Sequence, residues 1–252
     1  MKLIILVIAL VISLQSQASL IISPAIFEGC RGDYPNNLTV NVYNQGNETI
    51  AVEVEVFNLS QNIKGLVQLS PVEKPLLRPE TDRFKVPAKA KVGFNFKIED
   101  PNKAVYQAVV FKKTGAQKGI VSQGMVILFM LALDQETVNG KICDLSLVTS
   151  EDFQHKFLRL TVENEGLCHF KTEGVFELLD QKGTRREVVL LDGGIVLPGA
   201  KREFRGEVLT EIKKSSLVKG EVFFNLATNS HSCNIELQPL EAFERLQSVK
   251  WN

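Results

Sequence analysis

Four cysteines and three histidines are the side chains of this chain best suited to chemistry. Cys168 is followed at once by His169, and His231 stands two places before Cys233. Two Cys and two His could hold zinc near tetrahedral geometry, but an adjacent Cys-His pair is poor spacing for two ligands from one loop. Disulfides are the favoured alternative, because thiols of an exported chain oxidise, and four cysteines allow three pairings. His155 stands alone in a polar stretch and reads as a solvated surface residue. No Gly-x-Ser-x-Gly elbow, metalloprotease His-Glu pair or Gly-rich phosphate loop after a strand is present. Asp192-Gly193-Gly194 is a turn signature before it is a catalytic carboxylate. The expectation is a protein that is no enzyme and uses no metal or cofactor.

The segment that precedes these residues reads as an export signal. Lys2 supplies a positive end, Leu3 to Leu14 an apolar stretch, and Ser16-Gln17-Ala18 a small-residue cleavage site. Residues 1–18 are therefore expected to be removed, leaving a mature chain from Ser19 with no cysteine at its start for a lipid anchor. The longest later apolar run, Met125 to Leu133, is about half of the roughly 18 residues a spanning helix needs. No integral membrane segment is expected in the mature chain. The 29 basic and 29 acidic residues cancel without forming a basic patch, which argues against nucleic acid as a partner.

The elements that must position everything else are strands. Val52, Val54 and Val56 alternate with Glu53 and Glu55, and Phe94, Phe96 and Ile98 alternate with Asn95 and Lys97. Leu20 to Phe27 reads as a first strand interrupted by Pro24, which suits an edge. Met125 to Leu133 is apolar on both faces, so both should be covered. Asn44-Gln45-Gly46 recurs as Asn164-Glu165-Gly166, and each is followed by a Leu/Pro element, Leu77-Arg78-Pro79 and Leu197-Pro198-Gly199. The offset of about 120 residues is one small domain. Asn and Gly tolerate positive φ and suit a turn. The chain thus reads as all-β, with two tandem immunoglobulin-like β-sandwich domains of about seven strands each. The expected bounds are 19–134 and 142–252, joined by a linker at 135–141. Leu240, Phe243, Leu246 and Val249 fall at helical spacing and suggest a short terminal helix or tail.

These pieces resemble the periplasmic chaperones of the chaperone–usher pilus pathway. The matching segments are Ala25 to Gly29, Leu38 to Asn44, Leu69-Ser70-Pro71, Leu77-Arg78-Pro79 and Ile127-Leu128-Phe129. In the second half they are Val162 to Gly166 and Val196 to Gly199. The resemblance implies domains set at an angle in an L shape, with a cleft between them. It also implies a function: the last strand of the first domain is lent to an incomplete pilin-like subunit by strand addition. Two basic cleft residues of the family would fall on or near Pro24 and Ile127, neither of which can hold a carboxylate through its side chain. The aligned donor stretch, Lys118 to Gly124, offers only Ile120 and Val121 as bulky apolar residues. A register shifted by a few residues would make Val126, Leu128 and Met130 the lending side chains.

Placing the cysteines on such a sandwich puts Cys143, Cys168 and Cys233 at one end of the second domain, with Cys30 after the first strand. The expected pairs are Cys168–Cys233 and, as a tether, Cys30–Cys143. The latter closes a loop long enough to contribute about 4–5 kcal/mol. Arg31-Gly32-Asp33 spells an integrin-binding tripeptide but reads as a chance turn, and the Asn-x-Ser/Thr sequons at Asn37, Asn47 and Asn58 as silent in a bacterial periplasm. The leading expectation is a non-catalytic periplasmic chaperone or assembly factor for an exported pilin-like subunit, with an outer-membrane usher as a further expected partner. The alternative is a structural or adhesive cell-surface protein that uses its sandwiches as spacers.

Overall fold

The computed structural model describes residues 20–114, 121–133, 138–150, 155–210, 216–226 and 229–239. The expected export signal, Ile120 and the expected terminal helix lie outside the described residues. The described chain forms two compact units. The first holds residues up to Glu28, Gly32–Leu59 and Leu69–Leu131; the second holds Gly29–Arg31, Ser60–Gln68 and the chain from Ala132 on.

Alternation of apolar and polar residues builds the first unit. Its strands are β1 (Leu20–Ser23), β2 (Ile26–Cys30), β3 (Asn37–Asn44), β4 (Ile50–Gln61) and β5 (Val67–Pro71). They continue with β6 (Leu77–Pro79), β7 (Arg83–Val86), β8 (Lys91–Ile98), β9 (Val105–Thr114) and β10 (Val121–Ala132). One sheet has the order β1-β3-β8-β6, the other β2-β10-β9-β4-β5 with β7 beside β4. The inward sides of both sheets meet in one core of Val40, Val42, Val52, Phe94, Phe96, Phe111, Ile127 and Phe129. Phe94 stands edge-on to Phe111 at 5.6 Å, and Phe96 edge-on to Phe129, also at 5.6 Å, the geometry favoured by ring quadrupoles. Pro24 splits the expected first strand in two. Its peptide with Ser23 is cis; β1 pairs with β3 in one sheet and β2 joins β10 in the other.

The second unit contains β11 (Gly140–Thr149), β12 (Lys156–Asn164), β13 (Phe170–Leu179), β14 (Arg185–Val196), β15 (Lys201–Val208), β16 (Leu217–Leu226) and β17 (Asn229–Pro239). Its sheets run β11-β12-β15 and β14-β13-β16-β17. Gly140 and Lys141, expected in the linker, already belong to β11. Asp192-Gly193-Gly194 is not a turn but part of β14. Gln181-Lys182-Gly183 joins β13 to β14, with Gly183 N–H donating to the Asp180 carbonyl at 2.9 Å. Ser60–Gln68 lies against β14 and β15. Glu203 N–H donates to the Ile63 carbonyl at 2.7 Å, and Gln61 Nε2 donates to the Ile195 carbonyl at 3.0 Å. Arg202 stacks over Phe204 at 5.0 Å and donates to the Ile195 carbonyl at 2.7 Å. Its guanidinium sits so close to Gly65 and Gly194 that a Cβ on either would clash with it.

The repeated Asn-x-Gly is the corner of each unit. Asn44 Nδ2 donates to the carbonyls of Glu48, Val86 and Pro87, and its Oδ1 accepts from Gly46 N–H at 2.9 Å. Asn164 Nδ2 donates to Cys168 and Val196, and its Oδ1 accepts from Gly166 N–H at 2.9 Å. Both backbone N–H groups reach an alanine carbonyl, Ala90 and Ala200, each at 2.9 Å. Positive φ is found at Lys89 (55°) and Gly199 (70°), the residue before that alanine in each unit, rather than in the Asn-x-Gly itself. The equivalent of Leu197-Pro198-Gly199 is therefore Pro87-Ala88-Lys89, not Leu77-Arg78-Pro79. The latter is β6, a strand that pairs with β8.

Candidate partner-binding strand

β10 is positioned by β9 on one side and by the start of the chain on the other. Its ladder with β9 is antiparallel, with Val126 opposite Val110, Leu128 opposite Ala108 and Met130 opposite Tyr106. β9 continues the rows into β4, where Glu55 faces Val110 and Phe57 faces Ala108. Side chains alternate strictly along β10. Ile127, Phe129 and Leu131 fill the core, whereas Val126 is 43% exposed and Leu128 is half-buried. Ile26 of β2 is 49% exposed, so it and Val126 are two exposed β-branched residues on neighbouring strands. The Lys112–Glu55 ion pair lies across β9 and β4.

The outer edge of β10 is covered only in part. Leu128 N–H donates to the Ala25 carbonyl at 3.0 Å. Upstream, the Gln123 amide donates to the Leu20 carbonyl at 3.2 Å and accepts from the Leu20 N–H at 3.0 Å. Positions on the two segments rise together, so β2 runs parallel to β10. Main-chain groups alternate sides along a strand, so those of Gly124 and Val126 point to the same edge as those of Leu128. β2 begins only at Ile26. Among the described residues, the six-stranded sheet thus has no further strand beside Gly124–Val126. A Cβ at Gly124 would meet nothing within 4 Å, so this stretch of edge is open on its face as well.

Of the expected lending side chains, the structure brings Val126, Leu128 and Met130 onto one face but leaves only the first two accessible. Met130 is buried at the end of β10 that β2 covers. Ile127 is in the core and Pro24 is exposed at the break between β1 and β2, so neither site presents a cation. Ile26, Val110 and Gln123 had no signal in the sequence, because their role depends on which strands become neighbours. Arg31 is 5% exposed, and a buried arginine cannot display Arg31-Gly32-Asp33 as a recognition tripeptide.

None of the four cysteines, all of them described, is in a disulfide. The strand register separates Cys168 from Cys233. Cys233 faces Val222 and Val222 faces Gly174, while Cys168 precedes β13. The four steps along β13 from Phe170 to Gly174, at about 3.3 Å each, and two strand spacings keep the pair well beyond the ~7 Å Cα limit. The expected Cys168–Cys233 bridge is therefore not made, and the same separation dissolves the zinc reading. Among the described residues no group of three or more His, Cys, Asp or Glu could hold a metal. Cys143 sits at the bulge between Ile142 and Asp144 with its sulfur 3.5 Å from Glu163 Oε2, turned to its neighbour strand rather than to Cys30. Burial, then the Glu163 contact, pushes the Cys143 thiol up, and burial pushes that of Cys233 up to about 11, so both are protonated at neutral pH.

No family model matches the chain. No curated protein matches it in sequence. Solved structures do match in shape. The class 5 fimbriae chaperone CfaA superposes with a TM-score of 0.51 at 12% identity, covering 86% of this chain and 98% of that one. The chain shares the fold of that chaperone. A structure of a chaperone–tip adhesin complex of CFA/I fimbriae gives a TM-score of 0.49 at 13% identity, covering 83% and 95%. A pre-assembly complex of the chaperone CsuC with the tip subunit CsuE of Acinetobacter baumannii gives 0.46 at 13%, covering 86% and 98%. Among the described residues no helix is long and apolar enough to cross a membrane.

Proposed function

We propose that this protein is a non-catalytic assembly chaperone, exported to the periplasm, that binds a pilin-like subunit by strand addition along β10. One observation carries the reading. Among the described residues, the edge of β10 at Gly124–Val126 has no strand of its sheet beside it, next to the exposed Val126 and Ile26. An incoming extended segment would gain main-chain hydrogen bonds there and place alternate side chains over the Val126–Val110 row. Two sandwich domains, 19–134 and 142–252, would present this strand, and an outer-membrane usher would receive the subunit. The absence of a cation at Pro24 and Ile127 means that the edge, rather than a carboxylate anchor, must supply the affinity.

Val126→Pro is the informative variant. It removes one edge donor and leaves the β9 ladder bonds in place, whereas Leu128→Pro would also cut the bond to Ala25. Pull-down of a pilin subunit lacking its last strand should fall at least tenfold with an unchanged melting temperature. Undiminished capture by folded Val126→Pro would overturn strand lending. A second reading, a surface spacer, is favoured by Ile127 lying in the core. Protease accessibility on intact cells supports it, and release by osmotic shock supports the periplasmic chaperone.

A further inference from the structure

We propose that the C-terminal segment of this chain, residues 240–252, packs on the outer face of the sheet β14-β13-β16-β17, over an apolar patch of Val175, Val188, Leu190 and Phe223. Period two places the patch. Thr172, Phe176 and Leu178 of β13 and Val189 and Leu191 of β14 are buried, so Val175, Val188 and Leu190 face outward. They are 40%, 45% and 66% exposed. Leu190 stands directly opposite Val175. On β16 the half-buried Phe223 lies between the buried Val222 and Phe224 and pairs with Glu173, which sets it diagonal to Val175. The outward positions around these four are charged: Glu173 and Glu177 on β13, Asp192 on β14, Lys219 and Glu221 on β16. A sheet face left to water alternates cleanly, with polar residues outward. An apolar island rimmed by charge marks a face that something covers.

The chain itself supplies the occupant. β17 ends at Pro239, opposite Leu217 of β16; Leu217 is opposite Leu179 of β13, and Leu179 opposite Arg185 of β14. From Pro239, Leu190 lies three strand spacings across the sheet and four residues along it, roughly 20 Å away. Thirteen residues follow Pro239. Among them Leu240, Phe243, Leu246 and Val249 recur at helical spacing, and Trp251 comes eleven residues after Leu240, three turns later on the same side. Glu241, Arg245 and Ser248 fall on the opposite side. Coiled as a helix, residues 240–251 would span about 18 Å, enough to carry the apolar side from the end of β17 across to β14. The segment therefore has the reach, the apolar stripe and the point of departure that the patch requires. The docking does not depend on strand lending by β10.

Trp251 is the single tryptophan of the chain, so its fluorescence reads this segment alone. In the intact protein its emission should be blue-shifted from that of free tryptophan and protected from acrylamide. Leu190→Lys should shift the emission to the red and raise acrylamide quenching about threefold as the docked population falls. Val188→Ser, a milder change, should move both in the same direction. Leu167→Lys is the control: Leu167 is as exposed as Leu190, at 66%, but stands at the opposite end of β13, and its loss should leave Trp251 unchanged. Melting curves establish that each variant is folded. Solvent-like emission in the wild-type protein, or a blue shift that folded Leu190→Lys and Val188→Ser both leave in place, overturns the docking. A blue shift that develops only as protein concentration rises overturns it too, and assigns the patch to a second copy of the chain.

Discussion

The corners at Asn44 and Asn164 perform the same task with different margins. Each asparagine replaces the missing ladder at a strand end by accepting from a glycine N–H and donating to the carbonyl of a nearby loop and to that of a distant strand end. Asn164 is completely buried, and both its donor bonds lie where water does not reach. Two of the three carbonyls served by Asn44, those of Glu48 and Pro87, are part-exposed and can turn to solvent if the side chain is lost. The following tight turn differs too. Gly199 takes a positive φ freely, whereas Lys89 takes it against the Cβ penalty and returns a hydrogen bond from its ammonium to the Gln45 carbonyl at 2.7 Å. A repeated motif can thus keep its geometry while the residue types that enforce it drift.

Breaking the tighter corner should have the largest effect. Asn164→Ala leaves two buried carbonyls and one N–H unsatisfied and should destabilise by about 3–4 kcal/mol, read as a lowered denaturant midpoint at unchanged slope. Asn44→Ala should cost about 2 kcal/mol, because water replaces part of what is lost. Equal losses at the two sites would mean that burial does not set the difference. Next comes the turn. Gly199→Ala should destabilise by about 1–2 kcal/mol, while Lys89→Gly should stay within about 0.5 kcal/mol of neutral, relief of the left-handed strain being offset by the freer unfolded chain.

The smallest effect concerns acid. Asp180, at the β13–β14 turn of the second unit, accepts from Thr184 N–H first, then pairs with Arg186 and accepts from Lys182 N–H, all of which hold its carboxyl below the usual range. Its folded pKa is depressed, so its contribution is present above the ordinary carboxylate value and is lost as pH falls through the folded one. Asp180→Asn should lower the melting temperature slightly at pH 7 and make no difference once the wild-type carboxyl is protonated. A gap that persists in strong acid would assign the loss to packing instead.

How far the sequence could be read depended on whether a feature is local. Strand alternation such as Phe94, Phe96 and Ile98 is local, and it named the core of β8 correctly. The break at Pro24 was legible, but not that its two sides join opposite sheets. The phase of Val126, Leu128 and Met130 followed from period two, while the burial of Met130 depends on where β2 runs. Cysteine pairing depends on register between strands far apart in sequence, and a linear pattern carries no register. That is why Cys168 and Cys233 looked like neighbours. The Leu/Pro half of the repeat failed similarly: spacing matched Leu77–Pro79 to Leu197–Gly199, while the hydrogen bonds match Lys89 to Gly199.

The flat contact of Arg202 with Gly65, Gly194 and Phe204 sets how this joint answers ionic strength. Surface pairs such as Lys97–Glu99 and Lys103–Asp100 are screened as salt rises above about 0.1 M, where the Debye length is near 10 Å. A guanidinium held by stacking and by a carbonyl, with its Nε buried and carrying no hydrogen bond, has no counter-ion among the described residues to lose. In brine the outer ladder of charges would fade while the grip of Ser60–Gln68 on β14 and β15 stayed closed.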